Sequence, residues 1–310
     1  MRDHPRSSHM SGPPHITICV CTYKRATMLT RLLSDLSRLT TDGQFTYSIV
    51  VVDNDRQESA RAPTAQFQTT GPVSVSYVVE PEQNIARARN RATSHAAGEF
   101  LAFIDDDEFP PPEWLLIMLD ALRRYKTDGI LGPVKPAFDV VPPTWLIKGR
   151  FYDRESHPTG HVLAWQNCRT GNVLMKRSLI ESDATPFNPN LGSGGEDRDL
   201  FRRLIAKGHT FVWCDEAAVF ETVPPVRWQT KFMLRRALLR GKMATAQKGF
   251  GPRDLVKSAL ALLIYSALLP FLPVFGRHHF MQYLIRAFDH LGKILAVLGI
   301  DPVKETYVTG

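Results

Sequence analysis

Two hydrophobic periodicities alternate along the first 125 residues. Residues 16–21 (ITICVC) form a continuous β-rich apolar run, and residues 26–39 then carry Leu29, Leu32, Leu33, Leu36 and Leu39 at helical spacing. The alternation repeats, predicting strands at 47–52, 73–79 and 100–104 and helices over 58–68, 84–97 and 113–125. Pro110, Pro111 and Pro112 precede the last of these, where proline suits a first helical turn. Continuous apolar strands alternating with helices imply an α/β fold with a mostly parallel sheet covered on both faces. Ligands in such sheets bind outside the carboxyl ends of the strands. Three of these ends carry polar or acidic groups, at 22–25, 53–55 and 105–107.

The pattern then changes. Residues 132–195 are rich in loops and proline, with one strand expected within 163–175. Glycines at 192, 194 and 195 flank Ser193 in a loop that leads into Glu196, Asp197 and a helix to about 207. Short strands at 210–213 and 217–220 close the sheet. Beyond 226, amphipathic helices are expected over 228–248 and 281–298. Between them, residues 258–275 are 18 positions without a charged side chain, interrupted by Pro270 and Pro273. The chain thus divides into a flexible polar leader (1–14), an α/β domain (15–226) and a helical extension (227–310).

Composition sharpens this division. Apolar residues make up 44%, enough for a substantial core and too many for global disorder. The net charge of +7 belongs to the tail: from Val223 onward there are 13 Lys/Arg against 4 Asp/Glu, and 25 against 27 before it. These cations alternate with membrane-like apolar sequence rather than with stacking aromatics, which favours an anionic membrane surface over nucleic acid. Eighteen apolar positions are at the short limit for a spanning helix. The two prolines favour an interfacial segment, with spanning or packing within protein as alternatives. Cys19, Cys21, Cys168 and Cys214 form no C-x-x-C pair and read as core thiols in a reducing compartment. The leader has no apolar signal region.

The sharpest chemical feature is Asp105, Asp106 and Asp107. Adjacent carboxylates repel unless a cation neutralises them. Strand alternation would aim Asp105 and Asp107 to one side, and one or two carboxylates completed by a substrate diphosphate are a usual setting for Mg²⁺ or Mn²⁺. The simpler account is an acidic turn capping the next helix. The apolar strand before it, and Asp53 at a second strand end, favour the metal. Glu196 and Asp197 either stabilise a helix N-terminus or supply a general base to an acceptor hydroxyl. No Lys-Ser/Thr follows the glycines, so this is not a Walker loop. Arg87, Arg89 and Asn90 lie on a helix from which nucleotide oxygens are within reach. Arg235, Arg236, Arg240 and Lys242 form a basic cluster suited to a diphosphate or to lipid phosphates.

Taken in order, ITICVCTYKR (16–25), VVVDND (50–55), NIARARN (84–90), FLAFIDDDE (100–108) and GGEDRDLF (194–201) resemble the inverting family 2 glycosyltransferases. These have the nucleotide-sugar-binding α/β fold called GT-A, Rossmann-like with flanking helices, and the resemblance covers about residues 15–226. The GGED and DDDE forms are most similar to bacterial exopolysaccharide glucosyltransferases of the succinoglycan type. The resemblance implies that Thr22, Tyr23 and Arg25 contact the nucleotide and that Asp53 binds uracil or ribose. It implies that Arg89 and Asn90 help hold the nucleotide. Asp105 and Asp106 would lie by the ribose and donor sugar, and Asp107, with Asp105, would hold Mn²⁺ or Mg²⁺. Asp197 would be the catalytic base, Glu196 its support, and Arg235 and Arg236 a cover for the diphosphate.

The chain departs from the family in two places. Where some members place a metal-binding His, it reads Val219, Phe220, Glu221, which makes Glu221 a candidate. It also lacks Q-x-x-R-W, so one sugar per encounter is expected. The implied partners are a UDP-sugar, a lipid-linked glycan acceptor and an anionic membrane surface, with homo-oligomerisation left open. The implied location is the cytoplasmic face of the bacterial inner membrane, with peripheral or monotopic attachment. Two readings compete. A nucleotidyltransferase would begin with a glycine- and lysine-rich phosphate loop, which CTYKRATML is not. A non-catalytic membrane-bound nucleotide-sugar sensor has no need of the full acidic set.

Overall fold

The structure, a computed structural model, describes residues 12–192, 194–245, 250–301 and 303. Most of the leader, Ser193 of the glycine loop, the end of the helix expected over 228–248 and the chain's last residues lie outside the described residues. Two compact units are present. The first comprises Met1–Val134 with Glu155–Phe220, the second Lys135–Arg154 with Glu221–Gly310.

The first unit begins with β1 (His15–Thr22), α1 (Ala26–Leu36), β2 (Thr46–Asp53), α2 (Arg61–Thr70), β3 (Val75–Val79), α3 (Ile85–Ser94) and β4 (Phe100–Phe103). Next come β5 (Glu108–Phe109), α4 (Trp114–Tyr125) and β6 (Gly129–Leu131). Strand β7 (Val134–Ala137) leads into the second unit, which holds α5 (Thr144–Lys148). The chain returns as β8 (Val173–Lys176), α6 (Glu196–Ala206) and β9 (Phe211–Trp213), then leaves through β10 (Val219–Thr222). Helices α7 (Thr230–Thr245), α8 (Pro252–Leu268) and α9 (Arg277–Val297) follow.

The main sheet runs β3-β2-β1-β4-β8-β6-β9. Strands β1 to β4 are mutually parallel, in the register Thr22 opposite Asp53 and Cys19 opposite Phe103. Strand β8 lies antiparallel between β4 and β6, so the sheet is mixed rather than uniformly parallel. The apolar pattern marked a strand here but carried no direction; β6 leaves a gap beside β4, and the later strand fills it.

Alternation along the strands splits the core in two. Ile16, Ile18, Val20, Ile49 and Val51 face α1 and α4, burying Leu29, Leu32, Leu33, Leu36, Trp114 and Met118. Cys19, Val50, Val52, Leu101 and Phe103 face the other way, onto Ala86, Ala88 and Ala92 of α3 and Leu200, Phe201 and Leu204 of α6. The small α3 residues let that helix lie close to the strand ends. All four thiols are free and none is exposed. Burial pushes Cys21 and Cys168 up to about 12, so neither is a thiolate at neutral pH.

In the second unit, Leu146, Met233 and Met281 are buried together, with Trp145, Phe151, Trp228 and Phe280 packed around them. Helix α8 buries only Ser258. Its outer side exposes Val256, Leu260, Leu263, Ile264 and Leu268, and Phe271, Val274 and Phe275 continue the apolar surface; Leu263 is 68% and Val274 87% exposed. Among the described residues no helix is long and apolar enough to cross a membrane.

Candidate active site

Strands β1 to β3 run outward across the sheet, and β4 returns to the opposite side of β1. This reversal opens a crevice at the carboxyl ends of β1 and β4, the place where such sheets take ligands. Thr22 ends β1 and Arg25 begins the next turn. Asp105, Asp106 and Asp107 follow β4. Thr22 Oγ1 donates to Asp106 Oδ2 at 2.7 Å, and Arg25 Nη1 reaches Asp106 Oδ1 at 2.9 Å and Asp107 Oδ2 at 3.1 Å. Burial raises Asp106 to about 6, the Arg25 charge opposing that rise and the Asp107 charge adding to it.

The acidic run is a turn, not strand, because β4 ends at Phe103. Strand alternation therefore does not apply. Asp106 and Asp107 converge on one guanidinium nitrogen, whereas Asp105 Oδ1 lies 3.5 Å from Arg89 Nη2. The expectation that Asp105 and Asp107 face one way is corrected to a convergence of Asp106 and Asp107. Such a pair, already drawing one cationic group, suits a hard divalent ion completed by a diphosphate. It does not make an all-protein cage, and no group of three or more His, Cys, Asp or Glu among the described residues does either. Glu221 accepts ion pairs from Arg154 and Arg227, which answers its charge within the second unit.

Tyr23 is half-buried, with Lys24 Nζ 5.1 Å from its ring centroid. Asp53 is fully buried. Its Oδ1 accepts from the Asp55 amide at 3.1 Å, and its Oδ2 from the Ala60 amide at 2.7 Å and the Tyr77 hydroxyl at 2.8 Å. That carboxylate organises the loop after β2.

Helix α6 starts on Gly195, whose φ of +94° is the left-handed conformation glycine takes without a side-chain clash. Glu196, Asp197 and Asp199 occupy its first turn, where carboxylates favour the helix dipole. Glu196 is buried and pairs with Arg89, also buried. Burial raises Glu196 above the ordinary carboxylate range, and the Arg89 charge opposes that rise. Asp197 is half-buried and its Oδ1 accepts from the Arg198 amide at 2.7 Å. Arg89 thus links Asp105 with Glu196, 107 residues along the chain from Arg89. Asn90 is spent on Phe187: its Nδ2 donates to the carbonyl at 2.7 Å and its Oδ1 accepts from the amide at 2.9 Å.

Arg235 and Arg236 lie on α7 in the second unit, Arg236 exposed. In the same unit Arg240 pairs with Asp289, and Lys242 with Asp301. Two residues were passed over in the sequence. Asn54 donates to the Glu80 and Glu82 carbonyls at 2.9 and 2.6 Å and accepts from the Asn84 amide at 2.9 Å. Asn84 caps α3 by accepting from the Arg87 amide. Both stand inside motifs already singled out, and an Asn immediately before a helical run is the signal of a cap.

The sequence profile described as Glycosyl transferase family 2 matches residues 17–182. The chain is 33% identical over 304 residues to the Succinoglycan biosynthesis protein ExoM of Rhizobium meliloti, covering 94% of this chain and 95% of that protein. Among solved structures, the mannosyltransferase PcManGT of Pyrobaculum calidifontis, in complex with GDP-Man and Mn²⁺, superposes with a TM-score of 0.60 at 18% identity, covering 94% and 89% of the two chains. TarS of S. aureus in complex with UDP-GlcNAc superposes at 0.52 and 16%, covering 94% and 95%. These two share the fold. With its crevice at the β1/β4 reversal, this chain belongs to glycosyl transferase family 2 and is a glycosyltransferase.

Proposed function

We propose that this enzyme moves a hexose from a UDP-sugar, with inversion, to a lipid-linked glycan acceptor during synthesis of a cell-surface polysaccharide. One observation carries the reading: the acidic turn after β4 and the Glu196–Asp197 helix start are drawn to one place, through Arg25 on one side and Arg89 on the other. The similarity to ExoM supports polysaccharide synthesis, and the UDP-GlcNAc complex of a protein with this fold supports a UDP donor.

Asp197 accepts the proton of the acceptor hydroxyl as that oxygen attacks the anomeric carbon from the face opposite the diphosphate. The new C–O bond forms while the bond to the diphosphate oxygen breaks, and the leaving group departs with the electron pair. Glu196 and Arg89 hold the helix start that carries Asp197. Asp107, with Asp106 beside it and Asp105 adjacent, would hold Mn²⁺ or Mg²⁺, whose charge offsets that of the leaving diphosphate. Tyr23 and Thr22 lie where the nucleotide enters.

We assign catalysis to residues 15–226 and membrane attachment to residues 227–310. The exposed apolar side of α8 is flanked by the exposed cations Arg253, Lys257 and Arg277. Each well-placed cation adds about 1 kcal/mol of attraction to anionic lipid, and the apolar side chains would lie among the lipid tails on the cytoplasmic side of a bacterial inner membrane. Calorimetric titration of the detergent-solubilised chain with UDP, GDP and CMP, with and without Mn²⁺, tests the donor site. UDP binding that requires Mn²⁺ and vanishes in Asp107→Ala is expected. Metal-independent binding reduces the acidic run to a structural turn, and binding of no nucleotide removes the proposal.

A further inference from the structure

Helix α3 stands beside the strand ends, yet its polar side chains turn toward a different part of the chain. Asn84 donates from Nδ2 to the Pro189 carbonyl at 2.9 Å while its Oδ1 caps the helix. The Ile85 amide donates to the Gly192 carbonyl at 3.1 Å. Asn90 brackets Phe187 through both its carbonyl and its amide, and Arg89 takes Glu196 with its guanidinium 5.9 Å from the Phe187 ring centroid. Four residues of α3 and its cap, Asn84, Ile85, Arg89 and Asn90, therefore grip four points between Phe187 and Glu196. The fit is close at Gly192, where a methyl group would lie 2.1 Å from the Asn84 side chain. Asn54 extends the grip back to the end of β2 through the Asn84 amide.

A loop holds one shape only when its buried polar groups are answered. Here Phe187 anchors the loop in the apolar core, and beyond the loop's own turns its backbone is answered from α3 and its cap. Asn90 has its amide oxygen and one amide hydrogen committed to backbone, and Arg89 is buried. We propose that α3 is the template for the acceptor-side loop, and that Asn84, Arg89 and Asn90 are positioning residues for Glu196 and Asp197 rather than nucleotide ligands. The catalytic half of this inference rests on the proposed role of Asp197; the structural half does not.

Hydrogen exchange on the full chain decides the structural half. Asn84→Asp keeps the oxygen that caps α3 but replaces the donor to Pro189 with a second acceptor. Asn90→Ala removes the bracket on Phe187. Amides of 187–192 and 194–199 should exchange at least about ten-fold faster in both variants, with β1 and β2 unchanged, since each lost bond is worth about one decade in local opening. Unchanged exchange across those amides overturns the proposal. Variants that exchange faster everywhere have lost the fold, and in that case Arg89→Lys, which keeps the charge but not the two-way fork, is read in their place.

Kinetics decide the other half, using UDP with Mn²⁺ for binding and UDP release from UDP-glucose for turnover. Arg89→Lys should keep UDP affinity within about three-fold while kcat falls about 10- to 100-fold, the size of effect expected for a misplaced base. In a Glu196→Gln background the same change should cost much less, because the partner it positions is gone. A loss of UDP affinity that matches the loss of kcat, undiminished in the Glu196→Gln background, makes Arg89 a nucleotide ligand and overturns the proposal. Failure of the wild-type chain to bind UDP instead removes the UDP donor and leaves the exchange result standing.

Discussion

Replacing Arg25 with Met should weaken the fold in a way that added Mn²⁺ repairs. Arg25 Nη1 lies 2.9 Å from Asp106 and 3.1 Å from Asp107, and both carboxylates are nearly buried. At an effective dielectric of about 20, each contact is worth about 5 kcal/mol before desolvation. Breaking a fully buried pair by removing one partner costs about 3–5 kcal/mol. The Arg25 side chain is 23% exposed, and solvent screening brings the expected loss to about 2–3 kcal/mol. Met retains most of the aliphatic packing, so the loss reports charge. The two carboxylates then repel with that guanidinium charge removed, and a divalent ion becomes their best cationic partner. Mn²⁺ at a hundred times its dissociation constant returns about 2.7 kcal/mol. Urea unfolding with EDTA, and again with Mn²⁺, measures both changes. The wild-type chain, whose carboxylates already face a cation, should gain less from Mn²⁺ without nucleotide. Equal stabilisation of the two proteins would show that the ion does not compete with Arg25 for this pair, and would refute the reasoning.

Other outcomes follow from the same structure. Asp197→Asn should retain Mn²⁺-dependent UDP binding and lose transfer by about 10²–10⁴-fold in a turnover assay; full activity would place the base elsewhere. Leu263→Glu together with Phe271→Glu should leave the thermal midpoint within a few degrees, because both positions are exposed, yet abolish sedimentation with vesicles containing anionic lipid. Asn172 accepts from Trp114 Nε1 and donates to the Pro133 and Ala217 carbonyls, so Asn172→Leu should cost about 3 kcal/mol or more by chemical denaturation. Burial pushes Asp128 up, but Lys176 and the Thr210 amide outweigh it and hold the carboxyl below its ordinary 3.8. Its contribution is therefore present above that value and fades as pH falls through the lower folded one. Asp128→Asn should flatten the acid limb of a stability–pH profile.

The elements of the α/β unit were readable because their causes are local. Leu29, Leu32, Leu33 and Leu36 repeat at helical spacing, and all four are buried on α1. The run YSIVVV becomes β2, buried from Ile49 to its end. The polar strand ends were readable for the same reason, since an apolar run that stops at Asp53 or Asp105 announces where the strand leaves the core. The short strands β5, β6 and β7 were not seen. The direction of β8 was equally hidden.

Sequence by itself determined the family, the order of the longer elements and the identity of the acidic and basic groups that could do chemistry. Tertiary structure decided which of them meet. That β4 returns beside β1, and not beyond β3, brings Thr22 and Arg25 to Asp106 across 84 and 81 residues of chain. That β4 ends two residues before the acidic run turned an alternating strand into a tight turn, separating Asp105 from Asp106 and Asp107. Asp53 and Asn90 read as ligand contacts in the linear chain, and folding also gives them partners within the protein: the Asp55 and Ala60 amides and the Tyr77 hydroxyl for Asp53, and the Phe187 backbone for Asn90. For Asn90 that partner is 97 residues away, so it is met only when distant segments pack together and no pattern along the chain records it.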